Sequence, residues 1–506
     1  MSRSRLPIVF TVVLVTGMLA GCKRSEAPAT PEPAAAMPPI GPARAATIPV
    51  PIEKTLANGL KVVVLPRAGS SLVAMELVVL SGGEVDPPDR AGLADFTANL
   101  LTKGTKAPQG VRTAPQLAAA AEALGAQLRA QAGWDASRIG MTVTTPKLAA
   151  ALDLLAEVAR YPAFDRQEIE RLRAQTLDGL RLSFSDPGEL AALVAARRVH
   201  GTGAYGHPRL GTVQSVERIA AAELRALHRQ HYRPDNAALV LAGDLDPETG
   251  LALAAQVFGD WTNAGAEPAI PRSKDVPGDA AAPSDKPADV LIINLPDAGQ
   301  AAVVAASLLP SRAADDYYSG LVTRAVLGGG YSSRLNREIR IKRGLSYGAS
   351  ADYSVLRDGG ALYASAQTKN ESAAEVAGLI RAEFARLSAE DVPADELAAR
   401  KTSYSGGYAR TLETAGGIAS LIAGQLSKGV AADEIGRVLG RVDSITAAEV
   451  RTYARNRLPS ADLRMVIVGD AAQFREAVET LGLGVDVIEA DQLDLAQPDL
   501  RKRDGR

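Results

Sequence analysis

The sequence predicts an α+β protein built from two similar domains. Its two halves contain strands and helices in the same order, and each half closes with an apolar strand followed by Gly-Asp, at 243–244 and 469–470. Alanine and leucine dominate and aromatic residues make up only 4% of the chain, which favours helix-rich packing over a β-sandwich. The roughly 450 residues that follow the N-terminal segment are too many for one core and indicate two domains of about 200 residues each.

Residues 1–21 have the pattern of an export signal. Basic residues precede an apolar stretch that is too short to span a bilayer comfortably. The stretch ends Leu-Ala-Gly before Cys22, which resembles the lipobox of bacterial lipoproteins. The resemblance implies that Cys22 is lipidated; the alternative is a chance cysteine after an ordinary signal peptide. Because Lys23 stands where retention in the inner membrane usually requires aspartate, we expect attachment to the outer membrane, facing the periplasm.

Composition limits the remaining possibilities. Residues 22–47 are rich in alanine and proline and are predicted to form a flexible tether. Cys22 is the only cysteine, so an intrachain disulfide is impossible. The net charge is −2 with both signs interspersed, so nothing indicates a nucleic-acid surface.

The first domain is predicted over residues 48–262. Apolar and β-branched runs predict strands at 59–65, 71–80 and 237–242. Helical periodicity is found at 92–101, 114–124, 146–159 and 166–184.

The second domain is predicted over residues 287–484, after an Ala-, Pro- and Asp-rich linker at 263–286. Strands are predicted at 290–294, 301–309 and 464–468, and helices at 317–327, 371–387, 394–413 and 447–455. Residues 485–506 are acidic and then basic, and they are interpreted either as a disordered tail or as a docking segment.

The predicted helix at 92–101 lies in the frame of a known motif. The run from Gly92 to Thr105 resembles the zinc-site helix of the pitrilysin/insulinase metallopeptidases, in which His-x-x-Glu-His is commonly followed by Lys-Gly-Thr. The resemblance covers roughly residues 49–483. It implies two homologous metallopeptidase-like domains that form half of a clamshell around a cleft.

The residues that carry the zinc chemistry in that family differ here. Two histidines and a distal glutamate bind the metal in the family, and the motif glutamate takes a proton from water. Asp95 and Asn99 stand at the histidine positions, and Ala98 stands at the general-base position. A downstream Glu-Arg-Leu-Arg run resembles the segment that leads to the distal ligand, which puts Gly179 at that position and Asp178 about 100° away around the helix. We therefore expect no metal on this chain and no zinc hydrolysis by it alone, since losing the general base costs about 10²–10⁴ in rate.

The four histidines leave one alternative. His228 and His231 have a spacing that could place both on one helix face, with His200 and His207 nearby, as in a relocated zinc centre. The interpretation we favour is that His228 and His231 end a helix before the family's Tyr-x-Pro-x-Asn turn and that His207 belongs to a surface loop. No acidic or cysteine residue falls at a supporting spacing.

The second half carries a different motif of the family. A Gly-rich turn at 328–330, where glycine permits positive φ, lacks the lysine of a phosphate-binding loop. The run that follows resembles the family's Arg-x-x-x-x-x-x-Tyr substrate motif at Arg340 and Tyr347. The resemblance implies that this pair binds a peptide carbonyl and stabilises developing negative charge. The alternative is a solvated helix charge and an aromatic side chain at the edge of the core.

Peptide binding in the family also uses a strand edge in the first half. The corresponding run is 126–135, where Arg129 stands in place of an asparagine. An extended peptide could still add to this edge through backbone hydrogen bonds. The alternative, which we favour, is a purely structural strand.

The resemblance implies a non-catalytic subunit of a periplasmic zinc peptidase. Such a chain binds no cofactor itself and contributes Arg340 and Tyr347 to a composite site made with a zinc-bearing paralogue that hydrolyses peptides. Its expected partners are that paralogue, the peptide substrate and the membrane, through its lipid anchor. Two alternatives remain: a peptide-binding or scaffold protein without catalytic role, like the family's core subunits in respiratory assemblies, and an autonomous metallopeptidase with a different metal arrangement.

Overall fold

The computed structural model describes residues 48–263 and 289–503. The predicted signal peptide at 1–21, the lipidation site Cys22, the tether at 22–47 and all but the first residue of the linker lie outside the described residues. None of the helices in the two described ranges combines the length and the apolar character that a membrane span requires.

The first half contains eight strands and eight helices among the described residues. The strands are β1 (Ile52–Thr55), β2 (Lys61–Pro66), β3 (Leu72–Val79), β4 (Gly104–Ala107), β5 (Gly110–Thr113), β6 (Arg129–Ala132), β7 (Ser137–Thr144) and β8 (Ala237–Gly243). The helices are α1 (Leu93–Leu101), α2 (Ala114–Ala123), α3 (Leu148–Arg160), α4 (Arg166–Ser185), α5 (Pro187–His200), α6 (Val213–Arg218), α7 (Ala221–His231) and α8 (Pro247–Phe258).

The second half contains six strands and seven helices among the described residues. The strands are β9 (Val290–Asn294), β10 (Ala301–Leu309), β11 (Ala349–Val355), β12 (Gly360–Thr368), β13 (Arg464–Gly469) and β14 (Val485–Glu489). The helices are α9 (Tyr317–Gly328), α10 (Ala373–Ala389), α11 (Ala394–Leu412), α12 (Ala415–Ser427), α13 (Val438–Ser444), α14 (Ala447–Arg457) and α15 (Arg475–Glu479). A π-helical turn, Asn336–Ile341, follows α9.

Each half forms one six-stranded mixed sheet. The order is β1-β2-β8-β3-β7-β6 in the first sheet and β11-β12-β10-β13-β9-β14 in the second. In both sheets one parallel pair, β2 with β8 and β9 with β13, is followed by three antiparallel neighbours. Five strands of each sheet therefore have the same connectivity, which confirms the predicted α+β fold with two similar domains.

The sixth strand differs between the halves. β1 is antiparallel to β2, with which it forms a hairpin, whereas β14 lies parallel to β9 at the corresponding edge. Residues 485–489, which the sequence analysis assigns to a tail, are therefore a strand of the second sheet. The half-buried Val485 and Val487 and the buried Ile488 pack against the second core, which their short apolar run did not reveal.

Each half contributes one helix that packs on the sheet of the other half. α5 belongs to the first half but packs on the second sheet, where Leu190 and Val194 share an apolar cluster with Val304. In return, α12 of the second half packs on β3 and β8, with Ile418 and Ile422 in one cluster with first-sheet residues. Neither domain is covered by its own helices alone, and the described chain clusters as one compact unit.

Candidate functional site

The motif helix α1 begins at a capped, buried turn. Gly92 has φ of 92°, and the Asp86 carboxylate accepts hydrogen bonds from the backbone N–H of Gly92 and of Ala94, both at 2.8 Å. A carboxylate is favourable there because the first turn of a helix has unpaired N–H groups and a positive dipole end. Burial nevertheless raises the pKa of Asp86 well above its ordinary value, with the nearby carboxylates of Glu84 and Asp95 adding to the effect.

Asp95 and Asn99, which the resemblance aligns with the family's two histidines, contact each other. The Asn99 side-chain amide donates to Oδ2 of Asp95 at 2.9 Å and to the backbone carbonyl of Asp95 at 2.9 Å. The residues lie four apart, so they share one face of α1. Burial raises the pKa of Asp95, and the charge and hydrogen bond of Arg209, followed by the hydrogen bond from Asn99, partly oppose this rise.

The guanidinium of Arg209 donates a hydrogen bond to the other carboxylate oxygen of Asp95. Arg209 Nη1 donates to Oδ1 of Asp95 at 2.6 Å and to the carbonyl oxygen of Ala132 at 2.7 Å. Arg209 comes from the loop after α5, 114 residues away from Asp95 in sequence. The sequence analysis missed Arg209, because nothing in the sequence near it indicates a contact with α1.

The loop that carries Arg209 lies directly on the start of α1. A Cβ built at Gly92 would lie 2.8 Å from the carbonyl oxygen of Leu210, and one at Gly211 would lie 2.6 Å from that of Ala91. Glycine is required at both positions because the two backbones approach too closely for a side chain. Arg209 is thus held against Asp95 by closely packed backbone.

The remaining positions of the zinc motif offer no donor. Ala98 is fully buried in the first core, and Gly179 is exposed on α4, where a built Cβ would have nothing within 4 Å. Asp178 is exposed and accepts a hydrogen bond from Arg181 at 2.7 Å. Asn99 offers only a neutral amide oxygen, and both carboxylate oxygens of Asp95 are already paired.

Zinc, which the fold family implies, does not fit this set of side chains. A catalytic site needs three good protein donors and an open position, and these positions supply one carboxylate that a guanidinium has already paired. Within 48–263 and 289–503, no group of three or more His, Cys, Asp or Glu side chains is placed to hold a metal ion.

His228 and His231 serve different contacts. His228 Nε2 lies 2.8 Å from the carbonyl oxygen of Ala159, and His231 Nδ1 lies 2.9 Å from Oγ of Ser81. Burial lowers the pKa of each imidazole to about 4. Both are neutral near pH 7 and join α7 to neighbouring segments.

His207 lies in the loop between α5 and α6, as expected, but its ring is half-buried against the first half instead of free on the surface. Its Nε2 lies 3.0 Å from the carbonyl oxygen of Gly83, and its ring packs edge-on against Trp134 with centroids 5.2 Å apart. Burial lowers its pKa. The aromatic partner is 73 residues away in the chain, so the sequence pattern around His207 did not reveal the contact.

A buried network joins the two halves beside α1. Arg357, between β11 and β12, donates from Nη2 to Oε1 of Glu84 at 2.6 Å, and its backbone N–H donates to Asp135 at 2.8 Å. Tyr205 donates to the other oxygen of Asp135 at 2.6 Å. Burial raises the pKa of Glu84 to about 7, although Arg357 opposes this rise.

Arg340 and Tyr347 lie together on the surface of the second half. The centre of the Arg340 guanidinium is 5.0 Å from the centroid of the Tyr347 ring and 4.9 Å from that of Tyr331. Tyr347 is 91% exposed and Tyr331 is 66% exposed. The sequence analysis paired Arg340 with Tyr347 but missed Tyr331, whose place after a glycine run was the available signal.

The glycines at 328–330, before Tyr331, allow close packing of the backbone and do not adopt unusual dihedral angles. None of the three has positive φ, contrary to the expectation from sequence. A Cβ at Gly328 would lie 2.0 Å from the backbone nitrogen of Ala351, and one at Gly329 would lie 2.5 Å from Cα of Ala325. The turn is therefore pressed against β11 and α9. Arg340 itself lies in the π-helical turn, a distortion that often occurs at functional sites.

The run around Arg129 forms the edge of the first sheet. β6 pairs with β7, and no strand of the described ranges lies on its other side. Arg129 is exposed and donates to the side chain of Gln127 at 3.1 Å. An open edge of this kind can accept an extended peptide.

Replacing Arg209 with methionine should lower the free energy of unfolding by about 2 kcal/mol, because Asp95 would keep its half-buried charge without a cationic partner. Urea unfolding followed by circular dichroism measures the loss. Arg181→Met is the matched control, since its partner Asp178 is 74% exposed and its loss should stay within about 0.5 kcal/mol. Equal losses in the two variants would contradict the importance of the Arg209–Asp95 pair.

Comparisons with known proteins agree with this architecture. The family model described as Insulinase (Peptidase family M16) matches residues 62–185, and that of the Peptidase M16 inactive domain matches residues 218–404. An uncharacterized zinc protease of Mycobacterium tuberculosis is 28% identical over 425 residues, which cover 83% of this chain and 94% of that protein.

Solved structures show the same fold. The peptidase M16 inactive domain from Pseudomonas fluorescens has a TM-score of 0.75 and 25% identity, covering 83% of this chain and 98% of that one. A protease from Helicobacter pylori also has a TM-score of 0.75, with 18% identity, covering 83% of this chain and all of that one (100%). With two matching domains, each a mixed sheet with helices, the chain is a homologue of the zinc proteases of the M16 (insulinase/pitrilysin) family.

Proposed function

We propose that this chain is the non-catalytic subunit of a heteromeric zinc peptidase. It contributes Arg340 and Tyr347 to a composite active site, and a zinc-bearing M16 paralogue contributes the metal and the general base. The substrate is a peptide that lies between the two subunits. Through Cys22 the chain is attached to the outer membrane on the periplasmic side, so the partner is also periplasmic.

The observation that carries this proposal is the contrast between the two motifs. At the zinc positions, Asp95 is paired with Asn99 and Arg209, and Ala98 and Gly179 have no donor atom. At the substrate positions, Arg340 and the 91% exposed Tyr347 lie together on the surface, open to a peptide. A half-buried guanidinium at the surface and an exposed phenol beside it can hold a peptide carbonyl and stabilise the oxyanion that forms from it.

Reconstitution tests the proposal. The purified chain alone should not cleave unstructured peptides, and addition of a zinc-bearing M16 protein that co-purifies with it from membranes should produce activity. The measurement is the rate of cleavage of a quenched fluorescent peptide as a function of the ratio of the two proteins, which should saturate at a fixed stoichiometry.

Two outcomes would contradict the proposal. Stoichiometric zinc in the isolated chain, together with cleavage by it alone, would indicate an autonomous metallopeptidase. A partner whose activity does not change on addition of this chain would leave only a peptide-binding or scaffold role.

A further inference from the structure

The half-buried side chain of Arg340 and the exposed side chains of Tyr331 and Tyr347 form a stack, here called the Arg340 clamp. We propose that the Arg340 clamp binds a carboxylate of the peptide and that Tyr331 is the positioning residue that aims the guanidinium. This inference rests on the proposed function, in which these side chains face a peptide, and it adds a substrate preference to it.

The geometry of the clamp leaves the N–H donors of the Arg340 guanidinium available to a ligand. Tyr331 and Tyr347 each lie about 5 Å from the guanidinium centre, within the range of a cation–π contact. No side-chain hydrogen bond or ion pair joins Arg340 to any residue in the described parts of the chain. The N–H donors of a guanidinium lie in its plane and match the two oxygens of a carboxylate. A ligand that meets these donors in the plane is therefore the expected occupant.

The Tyr331 side chain is exposed, but its backbone is held by contacts with buried residues. Its carbonyl oxygen accepts a hydrogen bond from the Asn336 side chain at 2.5 Å. Three residues further along, the fully buried Arg334 forms a two-bond ion pair with Glu396 of α11, at 3.1 and 3.0 Å. Burying a charged pair costs desolvation energy, and it specifies one conformation of the segment. The backbone that carries Tyr331 is thus anchored by buried contacts, and the exposed ring itself contacts Arg340.

The charge around the clamp favours an acidic ligand. Residues 334–343 contain five basic side chains and one acidic side chain. The acidic one, Glu338, is shared by Lys342 at 2.5 Å and Arg343 at 2.7 Å. Other elements bring two further carboxylates to these cations: Glu396 lies beside Arg334 and Arg337, and Glu375 lies beside Arg343. Five cations and three carboxylates leave an excess of two positive charges around Arg340, which attracts anions and disfavours basic peptides.

The test is peptide binding to the purified full chain without a partner subunit, measured by fluorescence anisotropy. Three labelled peptides of one length and otherwise identical sequence serve as probes: one with glutamate and an amidated C-terminus, one with glutamine and a free C-terminus, and one with glutamine and an amidated C-terminus. At least one of the first two should bind about tenfold more tightly than the third, which has no carboxylate. Which of the two does so identifies the carboxylate as a side chain or as a chain terminus.

Variants distinguish binding by the Arg340 clamp from general electrostatic attraction of an acidic peptide. Tyr331→Ala should reduce the tenfold preference to less than twofold, whereas Tyr331→Phe, which keeps the ring, should retain it. Lys342→Ala removes a neighbouring charge outside the stack and should keep most of the preference. Unchanged melting temperatures would show that the variants are folded.

Several results would overturn the inference. They are equal affinity for the three peptides, no binding of any of them, and a full preference in Tyr331→Ala. Equal affinity would remove the carboxylate preference and leave the proposed peptide-binding role intact. The proposed subunit role fails separately, if the reconstituted complex shows no gain in cleavage.

Discussion

Arg340→Ala should lower the kcat of the reconstituted peptidase by about 10²–10³, the cost typical of removing one preorganised donor to an oxyanion. The guanidinium already contacts two tyrosine rings before substrate arrives, so little reorganisation is needed during the reaction. Tyr347→Phe removes only the hydroxyl and keeps the ring that contacts Arg340, so the loss should be smaller but in the same direction. Steady-state kinetics with the partner in excess measures both effects.

Lys342→Ala is the control for this result. Lys342 is a half-exposed cation two residues from Arg340 whose partner is Glu338, so its loss changes the local charge but not the clamp. Zinc content of the complex and the melting temperature of each variant should stay constant. Full activity in both Arg340→Ala and Tyr347→Phe would exclude the composite active site and favour the scaffold alternative.

At roughly pH 8, where Glu84 is ionised, Arg357→Met should destabilise the protein by about 3–5 kcal/mol, the range expected when one partner of a buried ion pair is removed. The Glu84 side chain is only 1% exposed, so it would remain buried without its guanidinium. Arg357 also donates to the carbonyl oxygen of Leu80 at 3.2 Å. Because these bonds connect the two halves, the variant should also open the junction beside α1. Chemical denaturation and hydrogen exchange at residues 80–86 measure the two effects.

The cost of Arg357→Met should depend on pH. Glu84 titrates near 4.5 when exposed and near 7 in the folded chain, so the folded state holds an extra proton between these values. Its contribution to stability is therefore fully present below pH 4.5 and is lost as pH rises through 7. Arg357 opposes this loss because it stabilises the charged form of Glu84. Arg357→Met should therefore lower the free energy of unfolding more at roughly pH 8 than at roughly pH 5.

Arg475→Met provides the comparison for that measurement. Its ion pair with Glu479 is about half exposed on α15, so its cost should stay within about 0.5 kcal/mol at both pH values. A cost of Arg357→Met that is small or independent of pH would contradict the assigned role of the Glu84–Arg357 pair.

Local elements were predictable because their patterns are local. The strands at 290–294 and 301–309 are observed with the predicted bounds, and the helix predicted at 166–184 is α4. α5 and α12 were not predicted as separate helices. α5 follows α4 after the single residue Asp186, and α12 contains two glycines in its first turn that weaken the helical signal.

The residues of the candidate site also fall into two groups, those that short motifs locate and those that only tertiary contacts bring together. Asp95, Ala98, Asn99 and the Arg340–Tyr347 pair could be located from short motifs, since each motif spans less than three helical turns. Arg209 and Arg357 could not. Arg209 reaches Asp95 across 114 residues and Arg357 reaches Glu84 across 273, and no pattern in one sequence encodes such a pairing.

The sequence by itself determined the α+β class, the repetition of the domain and the residue types at each motif position, because these depend on periodicity and identity along the chain. Only the tertiary structure decided that each half contributes a helix to the other, that residues 485–489 complete the second sheet, and that the guanidinium of Arg209 pairs with Asp95. These features depend on which apolar faces and charges meet in space. That choice is made by the burial of surfaces far apart in the chain, which local sequence does not specify.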